Sequence, residues 1–291
     1  MDIQKKYYTN IHSLTDGFGE SLKFVIFSII FVEYMSTFDS HIEFHYTPFQ
    51  PTMEHNYDQD EEFLLKKEKM MRFLEIFPIA QHDKYNYIPL CKFTLIHFFE
   101  IIGYNMKSSW LDICKNIFYK DKIRPRSNEY AAIHIRRMNQ LDIMRKPKHG
   151  LFNGCDVPDK IYHDICYLLK EKFPNIELHV FSQGELKDFN IPIPNLIWHL
   201  NESIETTFIE MSFADVLVVA PSALSYTAGL YSRSNNILYI QSYFKPPLFW
   251  RPILGYVSTR DKHEFIMKDE VDNNKWNTIV FNPIANEFSK L

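Results

Sequence analysis

The second half of this chain alternates short apolar runs with stretches of helical periodicity, and this alternation restricts the possible folds more than any other feature. Residues 161–169 carry apolar side chains at helical spacing, and 204–213 and 222–231 are also predicted helices. Between and around them, apolar runs predict strands at 130–135, 176–181, 196–199, 216–220 and 237–240. Such alternation is typical of a parallel, doubly wound sheet, so the predicted fold class is α/β.

Polar residues follow the predicted strands at the ends where doubly wound sheets bind ligands. Arg136 follows the first strand and residues 182–184 (Ser-Gln-Gly) follow the second, while His199 ends the third and Ser222 comes shortly after the fourth. Because the carboxyl ends of parallel strands meet at one edge of a sheet, these groups are expected to line one crevice.

The composition excludes several broad classes of protein. The chain has 291 residues, of which 46% are apolar and 23% charged, the balance of a folded globular protein. The net charge of −4 argues against a broad nucleic-acid-binding surface. The cysteines lack zinc-site spacing, which predicts free thiols in a reducing compartment.

The first half of the chain is less regular. Residues 15–19 (Thr-Asp-Gly-Phe-Gly) predict a turn that leads into a helix over 20–35. A strand, a polar loop and three helices are predicted next, at 42–46, 48–62, 62–77, 91–104 and 109–119. Charged residues and prolines accumulate near 119–128, so we expect one domain over 1–122, a second over 123–248, and a tail over 249–291 that packs back towards the first.

No membrane span is expected. The apolar run at 24–32 is far shorter than the roughly 20 residues that cross a bilayer, so it predicts a buried core helix. Residues 1–8 are polar and show no secretion signal. We therefore expect the protein to work in the cytoplasm.

The adjacent arginines Arg136 and Arg137 are the strongest candidates for binding an anion. Their forked donors and permanent charge match a diphosphate. Strand alternation would direct the two side chains to opposite sides, which leaves open whether both contact the ligand. The alternative is a surface pair bound to acidic neighbours.

Two other polar segments could complete such a site. Ser222, Ser225 and Tyr226 lie where a helix begins directly after a strand, and free N–H groups there suit a phosphate. The alternative is an ordinary helix cap with a buried tyrosine. Residues 182–184 offer backbone and amide groups to a base or ribose, or form a plain strand-to-helix turn.

These motifs together resemble a known family. His134-Ile-Arg-Arg137 is similar to the His-x-Arg-Arg motif of fucosyltransferase-like enzymes, and residues 213–226 resemble their Ala-Asp-x-Leu-(x)-Ser-Ser-Phe-Ser pattern. With the segments 15–19, 54–58 and 181–184, the likeness is greatest to xylosyltransferases encoded by chlorella viruses. The resemblance implies two Rossmann-like domains facing a cleft, the GT-B type or a variant of it. It also implies inverting, metal-independent transfer of a sugar, with xylose from UDP-xylose as the expected donor, onto a glycan acceptor in capsid N-glycan synthesis. Met138-Asn139 and Ala223 depart from the fucosyltransferase pattern, which puts GDP-fucose in doubt as the donor.

An inverting transfer needs a base for the acceptor hydroxyl and a stabilised leaving diphosphate. We assign these two catalytic roles to Asp58 and Arg136, with Asp16, Asp60 and His55 as other candidates for the base. Asp58 with Glu61 also resembles a helix-capping box. The remaining expected contacts are, for the donor, Arg137, Ser182, Gln183, Gly184, Ser222, Ser225 and Tyr226, and for the acceptor oligosaccharide, Asp16, Gly17, Gly19, His55 and Tyr57.

No cofactor besides the nucleotide-sugar is expected. Asp58-Gln59-Asp60 spells a metal-binding Asp-x-Asp, but the arginines already supply the countercharge, so we expect no metal. Three alternatives remain: a GDP-fucose-dependent fucosyltransferase, a phosphoryl- or sulfo-transferring enzyme, and a non-catalytic glycan- or protein-binding module. The chain lacks the GxxxxGK[ST] loop of common nucleoside triphosphate enzymes, which counts against the second.

Overall fold

The computed structural model describes residues 5–9, 18–46, 61–74, 87–102, 108–137, 157, 159–240, 247, 250–252, 256–258 and 265–267. The chain divides into two compact units, Met1–Ile123 and Arg124–Leu291. Each unit contains a parallel sheet with helices, so the predicted α/β class is confirmed.

The first unit is built on a short parallel sheet. Its elements in chain order are β1 (Lys6–Thr9), α1 (Phe18–Ser36), β2 (Ile42–Phe44), α2 (Glu61–Phe73), β3 (Tyr87–Pro89), α3 (Lys92–Ile102) and α4 (Ser109–Asp121). The strand order is β2-β1-β3, with both pairs parallel. The sequence predicted β2 and the helices, but not β1 or β3, which are only four and three residues long.

Helix α1 is the core of the first unit. The apolar run predicted as a core helix is buried from Phe24 to Val32 except at Phe31, which is half-buried. Near the end of α1, the Glu33 carboxylate accepts hydrogen bonds from the Ser108 hydroxyl (2.6 Å) and the Ser109 backbone N–H (2.8 Å), which ties α1 to the start of α4. Within the described part of the chain, no helix combines the length and apolar character needed to cross a bilayer.

The second unit contains a larger, six-stranded sheet. Its elements are β4 (Tyr130–His134), α5 (Asp159–Lys172), β5 (Glu177–Ser182), a 3-10 turn (Leu186–Asp188), β6 (Leu196–Leu200), α6 (Ile204–Phe213), β7 (Val216–Val219), α7 (Ala223–Tyr231), β8 (Ile237–Tyr239) and β9 (Arg251–Pro252). The order β6-β5-β4-β7-β8-β9 is parallel throughout and doubly wound, with β4 and β7 adjacent at the reversal. A separate antiparallel pair, β10 (Tyr256–Ser258) and β11 (Phe265–Met267), follows.

The register of this sheet separates two faces. Ile133 pairs with Val218 and Val218 with Leu238, and all three belong to the apolar core that includes α5. The next residues along each strand, His134, Val219 and Tyr239, therefore point to the opposite face. Tyr226 of α7 contacts the ring of Tyr239 (centroids 6.2 Å apart), so α7 covers the face on which His134 lies.

Two arginines form ion pairs beside the amino end of β4. The Arg124 guanidinium contacts both carboxylate oxygens of Asp215 (2.6 and 3.3 Å), and the Tyr130 backbone N–H donates to Asp215 (2.9 Å). Arg126 makes a matching forked pair with the buried Glu210 (2.8 and 3.0 Å). Asp215, which belongs to the family-like segment 213–226, thus anchors the amino end of β4.

Part of the predicted tail packs within the second unit. β9 pairs with β8, and the buried Trp250 contacts Tyr226 and Tyr239. Gly229 of α7 lies directly under the Trp250 ring, where a Cβ would stand 2.6 Å from a ring carbon. The predicted return of the rest of residues 249–291 to the first domain stays a prediction.

Candidate functional site

The carboxyl edge of the second unit's sheet, at the reversal of strand order, is the candidate site. In doubly wound sheets the crevice forms where the connections of adjacent strands diverge to opposite faces. Here those strands are β4, which runs into Arg136, and β7, which runs through Ser222 into α7. Because Ile133 pairs with Val218, Arg136 and the turn at 220–222 lie at the same level of the sheet edge.

The two arginines are separated by strand alternation. Arg137 lies on the α5 face, where its guanidinium pairs with the Asp159 carboxylate at the start of α5 and stands 4.9 Å from the centroid of the Phe189 ring. This arrangement matches the alternative of an arginine bound to an acidic neighbour. By the same alternation Arg136 is expected on the α7 face, and the binding of a diphosphate by one or both arginines stays a prediction.

His134 is a buried imidazole at this same edge. It is 7% exposed, and its Nδ1 atom has no hydrogen-bond partner among the described residues. Burial, together with the positive charge of Arg136, lowers the pKa of His134 to about 3. The imidazole is therefore neutral at physiological pH, and it lies on the face covered by α7 with an unsatisfied ring nitrogen.

Helix α7 begins directly after the turn at Ser222. Ser222 is the N-cap residue, but its side chain makes no capping hydrogen bond, and the first N–H groups of a helix have no partners within the helix. Ser225 is fully buried, and its hydroxyl donates to the backbone oxygens of Ala220 and Ser222 (3.4 and 3.3 Å). Tyr226 is also buried. Of the three residues predicted to contact the nucleotide-sugar here, Ser222 lies in the turn before α7. Ser225 and Tyr226 are buried in the first turn of α7.

The loop after β5 adjoins the end of β4. The Ser182 hydroxyl donates to the carbonyl oxygen of Ile135 (2.8 Å), the residue before Arg136. Gln183 is exposed, and Gly184 has a positive φ of 113°. Gly184 therefore adopts a backbone conformation that residues with a side chain rarely occupy.

His199 has a different environment from the one expected of a crevice residue. Its ring Nδ1 contacts Glu202 (2.7 Å) and its Nε2 contacts Nδ1 of His179 (2.9 Å), whose own Nε2 reaches Glu177 (3.2 Å). This chain of side chains runs along β5 and β6 and engages both ring nitrogens of His199. Sequence reasoning missed His179 because a histidine in a strand carries no signal of its partners.

The predicted acceptor site falls largely outside the described residues. Asp16, Gly17, His55, Tyr57, Asp58 and Asp60 all lie there, so their roles stay predictions. Gly19 is described, but it belongs to the first turn of α1 rather than to a preceding turn. In the described ranges, no group of three or more histidine, cysteine or acidic side chains could hold a metal ion. The described cysteines Cys91, Cys114 and Cys166 are free thiols.

Neither a known protein-family model nor a curated protein sequence matches this chain. Among solved structures, it is similar to the E. coli heptosyltransferase WaaC with ADP, with 10% identity over 84% of this chain and 90% of the other and a TM-score of 0.41. It is also similar to POFUT1 in complex with GDP, with 10% identity, coverage of 82% and 99% and a TM-score of 0.41. For POFUT1 in complex with GDP-fucose the identity is 11%, the coverage 81% and 74%, and the TM-score 0.33. Scores this low carry no argument about function.

Proposed function

We propose that this chain is a glycosyltransferase whose second unit binds a nucleoside diphosphate sugar. The observation that carries the proposal is the position of Arg136 at the reversal point of a doubly wound sheet, level with the turn that opens α7. A guanidinium, the free N–H groups of a helix start and the Ser222 hydroxyl are groups that bind a diphosphate.

The proposed reaction is a direct displacement at the anomeric carbon with inversion. The acceptor oxygen forms the new bond while the bond to the diphosphate breaks, and the acceptor proton passes to a carboxylate of the first unit, for which Asp58 is our first choice. Arg136 stabilises the negative charge that develops on the leaving diphosphate. Because a guanidinium stays charged at any working pH, it can supply this countercharge without a bound cation.

The donor sugar is a finer proposal. UDP-xylose, with a capsid glycan as acceptor, rests on the likeness to chlorella-virus xylosyltransferases. GDP-fucose is the second candidate, because the His134–Arg137 motif is itself of the fucosyltransferase type. The departures at Met138-Asn139 and Ala223 count against GDP-fucose.

The first test is binding, measured by isothermal titration calorimetry on the full chain with UDP, GDP, UDP-xylose, GDP-fucose and inorganic pyrophosphate. We expect Arg136→Ala to remain folded and to bind the nucleoside diphosphates at least tenfold more weakly. Arg137→Ala is the matched control: it removes the same charge one residue away, from a guanidinium already paired with Asp159, so binding should change much less. Equal losses in the two variants, or none in Arg136→Ala, would contradict the assignment.

The second test is turnover. Donor hydrolysis and transfer to a glycan acceptor should persist in the presence of a chelator, and Arg136→Ala should lower kcat about a hundredfold, the usual cost of about 3 kcal/mol for one lost donor to a developing anion. Loss of turnover on chelation would instead favour a metal at Asp58 and Asp60. Binding with no turnover for any donor would favour a non-catalytic binding module.

A further inference from the structure

The loop after β5 is held by the side chain of Asn201, which follows β6. The Asn201 Oδ1 atom accepts from the Gly184 backbone N–H (3.0 Å), and its Nδ2 donates to the Gly184 carbonyl oxygen (2.9 Å). One amide side chain thus pairs with both backbone groups of a single residue, as a neighbouring strand would. In addition, the Asn201 backbone N–H donates to the Ser182 carbonyl oxygen (3.0 Å). Three hydrogen bonds between the loop 182–184 and Asn201 therefore hold the loop next to the end of β6.

The backbone conformations of Asn201 and Gly184 restrict which residues can occupy these two positions. Asn201 has a positive φ of 59° and Gly184 a positive φ of 113°. Asparagine tolerates the left-handed region better than most residues, whereas the conformation of Gly184 is one that residues with a side chain rarely adopt. A Cβ on Gly184 would also stand 2.9 Å from Oδ2 of Asp188, which itself accepts from the Glu185 N–H (2.7 Å). The loop is thus fixed from both sides.

The same network reaches the candidate site. The Ser182 hydroxyl donates to Ile135, so a continuous series of hydrogen bonds runs from Asn201 through Ser182 to the residue before Arg136. Gln183, between Ser182 and Gly184, is the exposed member of the loop. Its amide is therefore presented from a rigid backbone beside the end of β4, on the β5 side of the reversal point.

We propose that Asn201 is a positioning residue, which fixes the 182–184 loop so that Gln183 and the loop backbone contact the nucleoside of a nucleoside diphosphate. The inference rests on the proposed function, because it takes the diphosphate to lie between the ends of β4 and β7. A nucleoside attached to that diphosphate can extend over β5, where the loop offers amide and backbone hydrogen-bonding groups. Holding these groups in place before binding lowers the entropy lost when the ligand orders them.

The experiment compares Asn201→Gly with the unchanged chain, using calorimetry with UDP, GDP and inorganic pyrophosphate. Glycine keeps access to the positive φ but removes the amide that braces Gly184. We expect about tenfold weaker binding of whichever nucleoside diphosphate the chain prefers, and unchanged binding of pyrophosphate. A general loss of structure would weaken both ligands, so the difference between them separates positioning from stability.

Two variants serve as controls. Asn195→Gly alters the other described non-glycine residue with a positive φ (61°), at the opposite end of β6, and should leave all three affinities unchanged. Gln183→Ala should weaken nucleoside binding, and combining it with Asn201→Gly should add little, because both changes remove the same contacts.

Each outcome decides one of the two ideas. If the unchanged chain binds none of the three ligands, the proposed function fails and this inference with it. If it binds UDP or GDP and Asn201→Gly binds them equally well, or loses pyrophosphate to the same extent, the positioning role alone is wrong. Should Asn201→Gly fail to fold, Asn201→Asp, which keeps the acceptor and loses the donor to Gly184, must still show the selective loss.

Discussion

Replacing Gly229 with alanine tests the packing that supports the candidate site. Gly229 lies in the interior of α7, where alanine is normally favoured over glycine by about 1 kcal/mol. The ring of Trp250 opposes this gain, because a Cβ would stand 2.6 and 2.7 Å from two of its carbons. Optimal carbon contacts lie at about 3.5–4.0 Å, so the ring must move by roughly 1 Å.

The magnitudes predict that the clash outweighs the helix preference. Trp250 is buried against Tyr226 and Tyr239, so it cannot turn aside freely, and overpacking of this kind costs about 1–3 kcal/mol. Gly229→Ala should therefore lower the free energy of unfolding by about 1 kcal/mol net. That corresponds to a decrease in Tm of about 2–4 °C, measurable by circular dichroism.

The sign of the effect should reverse when the ring is removed. In a Trp250→Ala background, Gly229→Ala has no ring to meet and should raise the free energy of unfolding by about 1 kcal/mol relative to Trp250→Ala alone. The reasoning is refuted if Gly229→Ala stabilises the protein while Trp250 is present, or if its effect is the same in both backgrounds.

Three further predictions concern charged and titrating groups. Asp215→Asn removes a half-exposed ion pair and should lower the free energy of unfolding, measured by urea denaturation, by about 1 kcal/mol or less. Asp215→Ala should lower it by about 1–3 kcal/mol more, because the Tyr130 N–H also loses its acceptor. Equal losses in the two variants would contradict this. Burial alone would raise the pKa of Glu33, but hydrogen bonds from Ser108 and Ser109 outweigh it and lower the pKa. The ionised Glu33 therefore stabilises the fold above the usual pKa of a carboxyl group, and this stabilisation is lost as the pH falls through the lowered pKa. Acid titration of Glu33→Gln should accordingly show a stability difference from the unchanged chain that shrinks on acidification; a constant difference would count against it. The pKa of His134 is lowered to about 3 in the folded chain, whereas a histidine in the unfolded chain takes up a proton below about pH 6.5. The free energy of unfolding should therefore fall as the pH drops from about 6.5 towards 3. His134→Leu should flatten this slope, and an unchanged slope would contradict the assignment.

Periodicity and turn chemistry determined the framework of the second unit. Strands such as 130–135 and 216–220 are almost entirely apolar because both faces of a central parallel strand are covered, and this leaves a signal in the sequence itself. The common edge on which Arg136, Ser182 and Ser222 lie follows from strand–helix alternation, because parallel strands all end at the same side.

Strands β1 and β3 left no such signal. They are three or four residues long and mostly polar or aromatic, and they form a sheet only because they pair with each other across more than seventy residues of chain. Short strands of this kind are stabilised by their partners rather than by their own pattern.

The ion pair of Arg137 was decided by tertiary structure. The two arginines are adjacent in the sequence, and strand alternation predicts that their side chains point to opposite faces. Only the packing of α5 brings the Asp159 carboxylate to the Arg137 guanidinium. The burial that keeps His134 neutral, and the hold of Asn201 on Gly184, also depend on residues brought together from different strands. Local sequence sets which backbone conformations and faces are available, whereas the partner of each charge or polar group is chosen by contacts between distant segments, and those contacts form only when the chain is folded.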